Sequence, residues 1–325
     1  MTPDISVIIV SWNVRDLLRD CLDSIRAGAD AGHIVLTGSG TEEEAEAAPA
    51  VEVIVVDNLS SDGTPDLLRR DYPWVRLIEP GENTGFTGGN NIGMQHSTGD
   101  LLFLLNPDTV VLGDALPRMA AYMVENPQVG ALGPQLLNAD GSVQSSRRRF
   151  PTLQTAVFES TWLESIAPAG VLDHYYVRDT ADDQTVAVDW VQGAALMVRR
   201  EVLAQVGGFD EDFFMYSEEL DWQRRIKAAG WQVVYFPEAK IIHYGGKSSE
   251  QVVAQRHIYF QTSKVRYFRK HHGRVAGAFV RLVLLANYAA QLVLEAAKWL
   301  VGHKRKMRAE RVQAYWRVLR SGLRG

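Results

Sequence analysis

Within the first 108 residues, short apolar runs alternate with helical patterns, and three of the runs stop abruptly at a polar cluster. Ile5-Ser6-Val7-Ile8-Ile9-Val10 gives way to Ser11-Trp12-Asn13, Val51 to Val56 gives way to Asp57-Asn58, and Asp100 to Leu105 gives way to Asn106-Pro107-Asp108. A fourth run, Val75 to Glu79, lies between the last two. Runs without polar alternation are what strands buried on both faces require. Between them, Arg15 to Ile25 has apolar residues at helical spacing, a helix follows Thr64-Pro65 with proline in its first turn, and another is expected to begin near Asn90. Strand–helix alternation of this kind builds an α/β, Rossmann-like, mostly parallel sheet with helices on both faces. Ligands of such sheets bind at the carboxyl ends of the strands, where the three polar clusters fall.

Length and composition fit one large α/β domain with an appendage. The 325 residues are 46% hydrophobic, enough for a sizeable core. A single cysteine, Cys21, excludes an internal disulfide and a cysteine-based zinc site. It sits among Leu17, Leu18, Leu22 and Ile25, where a thiol packs as a small hydrophobe. Met1-Thr2-Pro3-Asp4 has neither the basic flank nor the apolar run of a signal peptide, so a cytoplasmic location is expected. Residues 28–50, rich in Ala, Gly and Glu, are expected to form a surface insertion. The second half is less regular: a strand over Ala194 to Val198, a helix over Leu220 to Ala229, a strand over Trp231 to Phe236 and a long helix over Val275 to Val301. The net charge of −5 conceals an asymmetry. From Lys264 to Gly325 there are 15 Lys and Arg against two acids, whereas the preceding body holds 19 bases and 37 acids. The expected division is therefore a domain over 1–262 and a basic helical tail over 263–325 that meets an anionic surface.

Several residues have the chemistry of a site. Asp108, on a tight turn after a buried strand, reads either as a ligand for a hard divalent cation, Mg²⁺ or Mn²⁺, or as a cap for the next helix. Asn83-Thr84-Gly85-Phe86-Thr87-Gly88-Gly89-Asn90-Asn91 combines glycines that allow close approach with amides that donate and accept, and could clasp a nucleoside. No Gly-x-Gly-x-x-Gly follows the first strand and no Gly-Lys-Ser/Thr occurs, which disfavours a dinucleotide fold and excludes a P-loop. Glu218, Glu219 and Asp221 crowd one helix start. They read either as a cluster that tunes a general base or as acids favoured by the helix dipole, with Asp221 paired to Arg224 or Arg225. His243, at a strand end before two glycines, reads as a metal ligand or as a structural histidine. Arg147-Arg148-Arg149 reads as a phosphate-facing loop or a solvated one.

Taken in order, Val7-Ile8-Ile9-Val10-Ser11-Trp12-Asn13, Val55-Val56-Asp57-Asn58, Asn83-Thr84-Gly85-Phe86, Asn106-Pro107-Asp108, Gly193-Ala194-Ala195, Gly207-Gly208-Phe209-Asp210-Glu211, Glu218-Glu219-Leu220-Asp221 and His243-Tyr244-Gly245-Gly246-Lys247-Ser248 resemble family 2 glycosyltransferases of the GT-A fold, in their rhamnosyltransferase-like branch. The resemblance runs from about Ile5 to about Ser249. It implies an inverting, metal-dependent hexosyltransferase that takes a nucleoside diphosphate sugar, first of all dTDP-rhamnose, to a glycan or lipid-linked glycan in cell-surface polysaccharide synthesis. It implies a nucleotide pocket of Ser11, Trp12, Asn13, Asp57, Asn83 and Gly85, with Asp57 accepting from the ring N–H of a pyrimidine. Asp108 stands where the second Asp of the family's Asp-x-Asp metal motif stands, Asn106 replacing the first, and His243 is a further metal or pyrophosphate contact. Glu219 takes the place of the catalytic base, where Asp is more usual, with Asp221 and Glu218 as alternatives. Trp190, Gly193 and Ala194 resemble the acceptor-side segment.

Two rival functions remain: a glycoside hydrolase, which also uses paired carboxylates, and a non-catalytic, membrane-associated sugar-nucleotide-binding protein. In the tail, Arg281, Asn287, Tyr288, Gln291, Glu295 and Lys298 make one polar stripe on an otherwise apolar helix. Its longest uncharged span, Leu282 to Leu294, is short of the ~20 residues of a membrane-spanning helix. An interfacial helix beside the basic run His303–Arg308 is expected, peripheral on the inner face of the cell membrane. The alternative is a helix packed on the body or on a second subunit of a homo-oligomer. Nucleic acid is not expected as a partner.

Overall fold

The computed structural model describes residues 3–38, 48–159, 161–168, 170–245, 253–302 and 304–324. They fall into two compact units, one of residues 3–150, 176–214 and 218–245, the other of 151–175, 215–217 and 253–324. In chain order the elements begin with β1 (Ile5–Ser11), α1 (Arg15–Asp30), β2 (Val35–Leu36), β3 (Ala50–Asp57), α2 (Thr64–Asp71), β4 (Val75–Ile78), α3 (Gly85–His96), β5 (Leu101–Leu105) and β6 (Thr109–Val111). Next come α4 (Ala115–Glu125), β7 (Val129–Leu137), β8 (Val143–Gln144), β9 (Arg147–Arg148), α5 (Leu153–Phe158) and α6 (Val171–Tyr175). The remainder are β10 (Val186–Val188), β11 (Trp190–Val191), β12 (Ala195–Arg199), α7 (Arg200–Val206), α8 (Glu218–Ala228), β13 (Gln232–His243), α9 (Val253–Leu300) and α10 (Arg305–Ser321).

The first unit is built on one sheet in the order β10-β13-β7-β12-β5-β1-β3-β2, with β4 beside β3, β6 beside β13 and β8 beside β7. Around β1 every pairing is parallel, as the unbroken apolar runs require. The other half is mixed. Strand β12 runs antiparallel between β5 and β7, and β13 runs parallel to β7. The carboxyl ends of β1, β3, β5 and β13 consequently share one edge. Alternation along β1 assigns the two core faces. Val7 and Ile9 pack with Leu18, Leu22 and Met119 on one side, and Ile8 packs with Leu102, Leu104, Trp222 and Ile226 on the other. Each such side chain contributes about 1.5–3 kcal/mol by leaving water.

The glycine-rich segment is helical from Gly85 onward, earlier than the expected start near Asn90. Tertiary contact overrides the low helix propensity of glycine. A Cβ at Gly89 would stand 2.7 Å from Val10 Cγ1, and one at Gly93 2.3 Å from Ile8 Cγ2, so the glycines let α3 lie directly on β1. Part of the 28–50 segment is regular: α1 continues to Asp30 and β2 pairs with β3, while 39–47 lie outside the described residues. Cys21 is fully buried between α1 and the strand ends, and burial pushes its thiol up to about 12.

In the second unit, α9 is broken at Gly273, whose φ of 90° and ψ of 168° are not helical. The expected boundary near residue 262 falls inside α9. The polar stripe of its second half faces inward: Asn287, Tyr288 and Glu295 are buried, Glu295 pairs with Arg308 of α10, and the Tyr288 ring meets Tyr315 of α10 at 5.5 Å.

Candidate active site

At the carboxyl edge of the sheet, buried polar groups with no protein partner gather. Ser11 Oγ at the end of β1, Asp57 Oδ1 at the end of β3, Asn106 Oδ1 after β5, His243 Nε2 at the end of β13 and Glu218 Oε2 at the head of α8 are all in this condition. A buried polar atom left unsatisfied costs about 1–3 kcal/mol. Native proteins keep few of them, and five at one sheet edge mark a place where a ligand completes the bonding.

At the end of β3, Asp57 is buried. Its Oδ2 accepts from the Ser60 backbone N–H at 2.9 Å, and its Oδ1 is buried without a hydrogen-bond partner. Asn13 adopts a φ of 52° and bridges to the loop after β3: its N–H donates to Ser60 Oγ at 2.9 Å and its Oδ1 accepts from Ser61 N–H at 2.7 Å. Asn58 turns inward. Its amide donates to Gly85 O at 2.8 Å, and its Oδ1 accepts from Thr84 Oγ1 at 2.9 Å. This bond ties the Asn83–Gly85 loop to the end of β3, and Asn83 Oδ1 accepts from Gly85 N–H at 3.0 Å. Gly85 has a φ of 73°, and a Cβ there would lie 2.6 Å from Phe214 O, so only glycine closes this loop. Trp12, half-buried, completes the strand-end cluster.

On the phosphate side, Asp108 precedes β6, and β6 pairs antiparallel with the end of β13 so that Thr109 opposes His243. Asp108 Oδ1 and His243 Nε2 stand 3.4 Å apart, Asp108 buried and the His243 side chain 12% exposed. His243 Nδ1 lies 2.7 Å from Gln144 Oε1 of β8. Gln144 is itself oriented because its Nε2 donates to Asn138 Oδ1 at 3.0 Å. With Nδ1–H donated to Gln144, Nε2 is the ring nitrogen turned toward the Asp108 carboxylate. An imidazole nitrogen and a carboxylate oxygen that face each other in this way can share a proton or hold a cation. Among the described residues no group of three or more His, Cys, Asp and Glu side chains gathers as a metal site. Two protein ligands nonetheless suit Mg²⁺-like ions, which take one or two side chains together with substrate phosphates.

Beside these groups stands the head of α8. Gln223 clasps this helix to β11: its Nε2 donates to Val191 O and its Oε1 accepts from Val191 N–H, both at 2.8 Å. The three acids separate by environment. Asp221 is fully buried and paired with Arg225 at 2.9 Å, and Arg225 also donates to Val206 O and Gly208 O. That ion pair holds the glycine turn before Phe209 and occupies the carboxylate. Glu218 is buried, which raises its carboxyl well above the usual range, and the charge of Glu219 raises it further. Glu219 is half-buried, with its stem against Gly193; a Cβ there would lie 3.2 Å from Glu219 Cβ. Ala194 adjoins the Asn106–Asp108 turn, its carbonyl accepting from Asn106 N–H at 2.9 Å. Glu219 therefore lies next to the Gly193-Ala194 segment, which leads to the Asn106–Asp108 turn.

Trp190 is buried and its indole N–H donates to Arg149 O at 3.0 Å, which holds the 190–194 segment in place. One expectation needs correction. Arg147 and Arg148 form neither a solvated loop nor an open phosphate clasp. Strand β9 pairs with β11, both side chains are buried, and their guanidiniums cover Tyr235 and Tyr176 at 4.8 and 4.5 Å. Sequence reasoning missed Gln144 and Gln223, and placed Asn91 in a nucleoside clasp without its link to Phe209. Asn91 binds Phe209 through both its amide and its carbonyl. Gln223 had a signal, being one helical turn after Glu219; Gln144 had none, because its role depends on a pairing 99 residues away.

A family model described as glycosyl transferase family 2 matches residues 6–207. Among curated proteins, the chain is 34% identical over 214 residues to the N-acetylglucosaminyl-diphospho-decaprenol L-rhamnosyltransferase of Mycobacterium tuberculosis, covering 61% of this chain and 68% of that one. It is 27% identical over 274 residues to the rhamnosyltransferase WbbL of Escherichia coli, covering 81% and 92%. Among solved structures, the mannosyltransferase PcManGT from Pyrobaculum calidifontis, in complex with GDP-Man and Mn²⁺, superposes with a TM-score of 0.56 at 19% identity over 98% of this chain and 88% of that one.

Proposed function

Because the chain belongs to glycosyl transferase family 2, we propose that it moves one sugar, with inversion, from a nucleoside diphosphate to a hydroxyl of a glycan or lipid-linked glycan. The proposed donor is dTDP-rhamnose. Two curated relatives are named as rhamnosyltransferases, and one of these carries a diphospho-decaprenol acceptor in its name. The observation that carries the reading is the set of unpartnered polar atoms along the sheet edge, with Asp57 at one end and the Asp108–His243 pair at the other.

In this reading Asp57 Oδ1 accepts from the ring N–H of the base while the Asn83–Gly85 loop closes on the nucleoside. Asp108 and His243 would hold Mg²⁺ or Mn²⁺, which supplies positive charge to offset the negative charge of a departing diphosphate. Gln144 keeps the His243 ring turned so that Nε2 points to that position. Glu219 takes the proton of the acceptor hydroxyl as the new bond forms on the face opposite the leaving group. Burial of Glu218 beside it favours the uncharged form of that carboxyl and so works against a second negative charge. No side chain bonds covalently to the sugar. The basic tail and the outward apolar face of α9 support a place on the inner face of the cell membrane.

The test is release of nucleoside diphosphate from dTDP-rhamnose with Mn²⁺, with and without a diphospholipid-linked N-acetylglucosamine acceptor. Acceptor-dependent release and one new glycosidic bond are expected. Release with a different nucleotide sugar corrects only the donor. Cleavage of a preformed glycan with no nucleotide consumed returns the reading to a hydrolase.

A further inference from the structure

With its polar stripe buried, the second half of α9 turns an apolar face to solvent: Val275 is 85% exposed, Leu282 68%, Val293 66% and Leu300 69%, whereas Tyr288 on the inner face is 3% exposed. From Val275 to Leu300 this face runs about 38 Å at the helical rise per residue. An uninterrupted apolar surface of this kind marks an interaction site rather than a random exposure.

At the start of that face lies a cavity of about 190 Å³. The break at Gly273 folds the two halves of α9 together, and Gly277 permits the approach: a Cβ there would stand 2.8 Å from Arg269 Cβ and 3.0 Å from its Cα. Arg266 and Arg269 from the first half, Arg274 and Arg281 from the second, and Arg324 from the chain end all line the cavity. No carboxylate lines it among the described residues. Arg281 is fixed by donating Nε–H to Gly322 O at 2.6 Å, and Thr262 Oγ1, also in the lining, is buried with no partner. Five guanidiniums around one small space repel each other, and a bound anion offsets that repulsion. Arginine is the side chain best shaped for phosphate, through paired N–H donors. The volume is below the ~300–1,000 Å³ of pockets that enclose drug-sized ligands, a size that suits a compact anion. Arg274 directly precedes Val275, so the pocket adjoins the apolar face.

We propose that this pocket grips a lipid-borne phosphate with at least two negative charges, a monoester or a diphosphate, while the adjoining face of α9 lies among the hydrocarbon chains. Five cations exceed what a singly charged diester headgroup needs, which favours the more highly charged phosphate. The inference rests on the membrane placement proposed above and adds to it a defined headgroup site.

The experiment uses full-length protein and phosphatidylcholine vesicles doped with phosphatidic acid, a monoester, or phosphatidylglycerol, a diester, at matched surface potential. Wild type is expected to prefer phosphatidic acid by at least about fivefold, and soluble inorganic diphosphate is expected to erase that preference. Arg269→Gln with Arg274→Gln, both exposed positions, should bring the ratio to about one. Arg317→Gln with Arg320→Gln removes the same charge from α10 outside the pocket and should leave the ratio intact even if both affinities fall. A wild-type ratio of one, or a ratio that survives in the pocket variant, overturns the headgroup site and leaves the membrane placement standing. Failure to bind any vesicle overturns both. Calorimetric binding of inorganic diphosphate without any vesicle preference would make the pocket a site for a free anion and overturn the lipid assignment.

Discussion

Replacing Gln144 with leucine isolates the part of the site that orients His243. Gln144 Oε1 lies 2.7 Å from His243 Nδ1, and its own amide is held by Asn138 Oδ1 at 3.0 Å, so the ring has one firm anchor on that side. Leucine keeps most of the volume of glutamine and removes the acceptor. The Nδ1–H is then unmatched in a pocket where the His243 side chain is only 12% exposed, and the ring is free to turn its Nε2 away from Asp108. Loss of such an outer partner costs about 10–100-fold in metal affinity, or about 1.4–2.7 kcal/mol. Titrating Mn²⁺ against initial rate should show the half-activating concentration raised by that factor, with the rate at saturating Mn²⁺ largely recovered. The melting temperature should fall little, since one hydrogen bond contributes about 1 kcal/mol. An unchanged half-activating concentration, or a loss that no amount of Mn²⁺ restores, would refute the orienting role.

Further outcomes follow from the same geometry. Asp108→Ala should lower turnover by about 10²-fold or more while circular dichroism and melting stay near wild type, as expected for lost electrostatic stabilisation of a leaving group; full activity of wild type in EDTA would contradict the role of this carboxylate. Gly93→Ala places a Cβ 2.3 Å from Ile8 Cγ2, a fully buried side chain, and should destabilise by about 1–2 kcal/mol in urea, overpacking outweighing the gain in helix propensity; a rise in midpoint would show that α3 can lift off β1 freely. Glu218→Gln tests the buried acid. Its folded pKa is raised above the ordinary 4.5, so the folded state holds a proton that the unfolded state releases, and stability falls as pH rises above about 4.5. Glutamine removes that dependence, so its melting temperature should gain on wild type as pH rises above 4.5 until the folded-state carboxyl ionises, and parallel profiles would place the proton elsewhere.

How far the site could be read before the structure depended on whether each residue acts through its own strand or through a distant one. Ser11, Asp57 and Asp108 announce themselves because a buried parallel strand that stops at a polar residue has few other reasons to do so. The order of strands put His243 near Asp108 only once β6 and β13 were seen to pair, and the motif resemblance carried that step. Gln144 was invisible because a single amide has no periodicity, and Gln223 showed only through its helical spacing from Glu219; each matters through hydrogen bonds to a segment remote in sequence. The glycine-rich stretch misled the placement of the start of α3, since propensity counts glycine against a helix while packing on Val10 and Ile8 demands it. In the tail, the spacing of Asn287, Tyr288 and Glu295 revealed a stripe, but amphipathicity alone does not say which face is covered. The partner helix α10, with Arg308 on Glu295, decided that the polar face goes inside.

The central claim is that Glu219, at the head of α8 and against Gly193, removes the acceptor proton in transfer from a nucleotide sugar. The direct measurement compares wild type with Glu219→Gln in two assays on the same preparations: nucleoside diphosphate affinity by calorimetry with Mn²⁺, and product formation with donor and acceptor. The account predicts nucleotide affinity within about twofold of wild type and product formation reduced by about 10²–10⁴-fold, the range expected for loss of a general base. Product formed by Glu219→Gln at close to the wild-type rate, with Asp221→Asn or Glu218→Gln inactive instead, would contradict it.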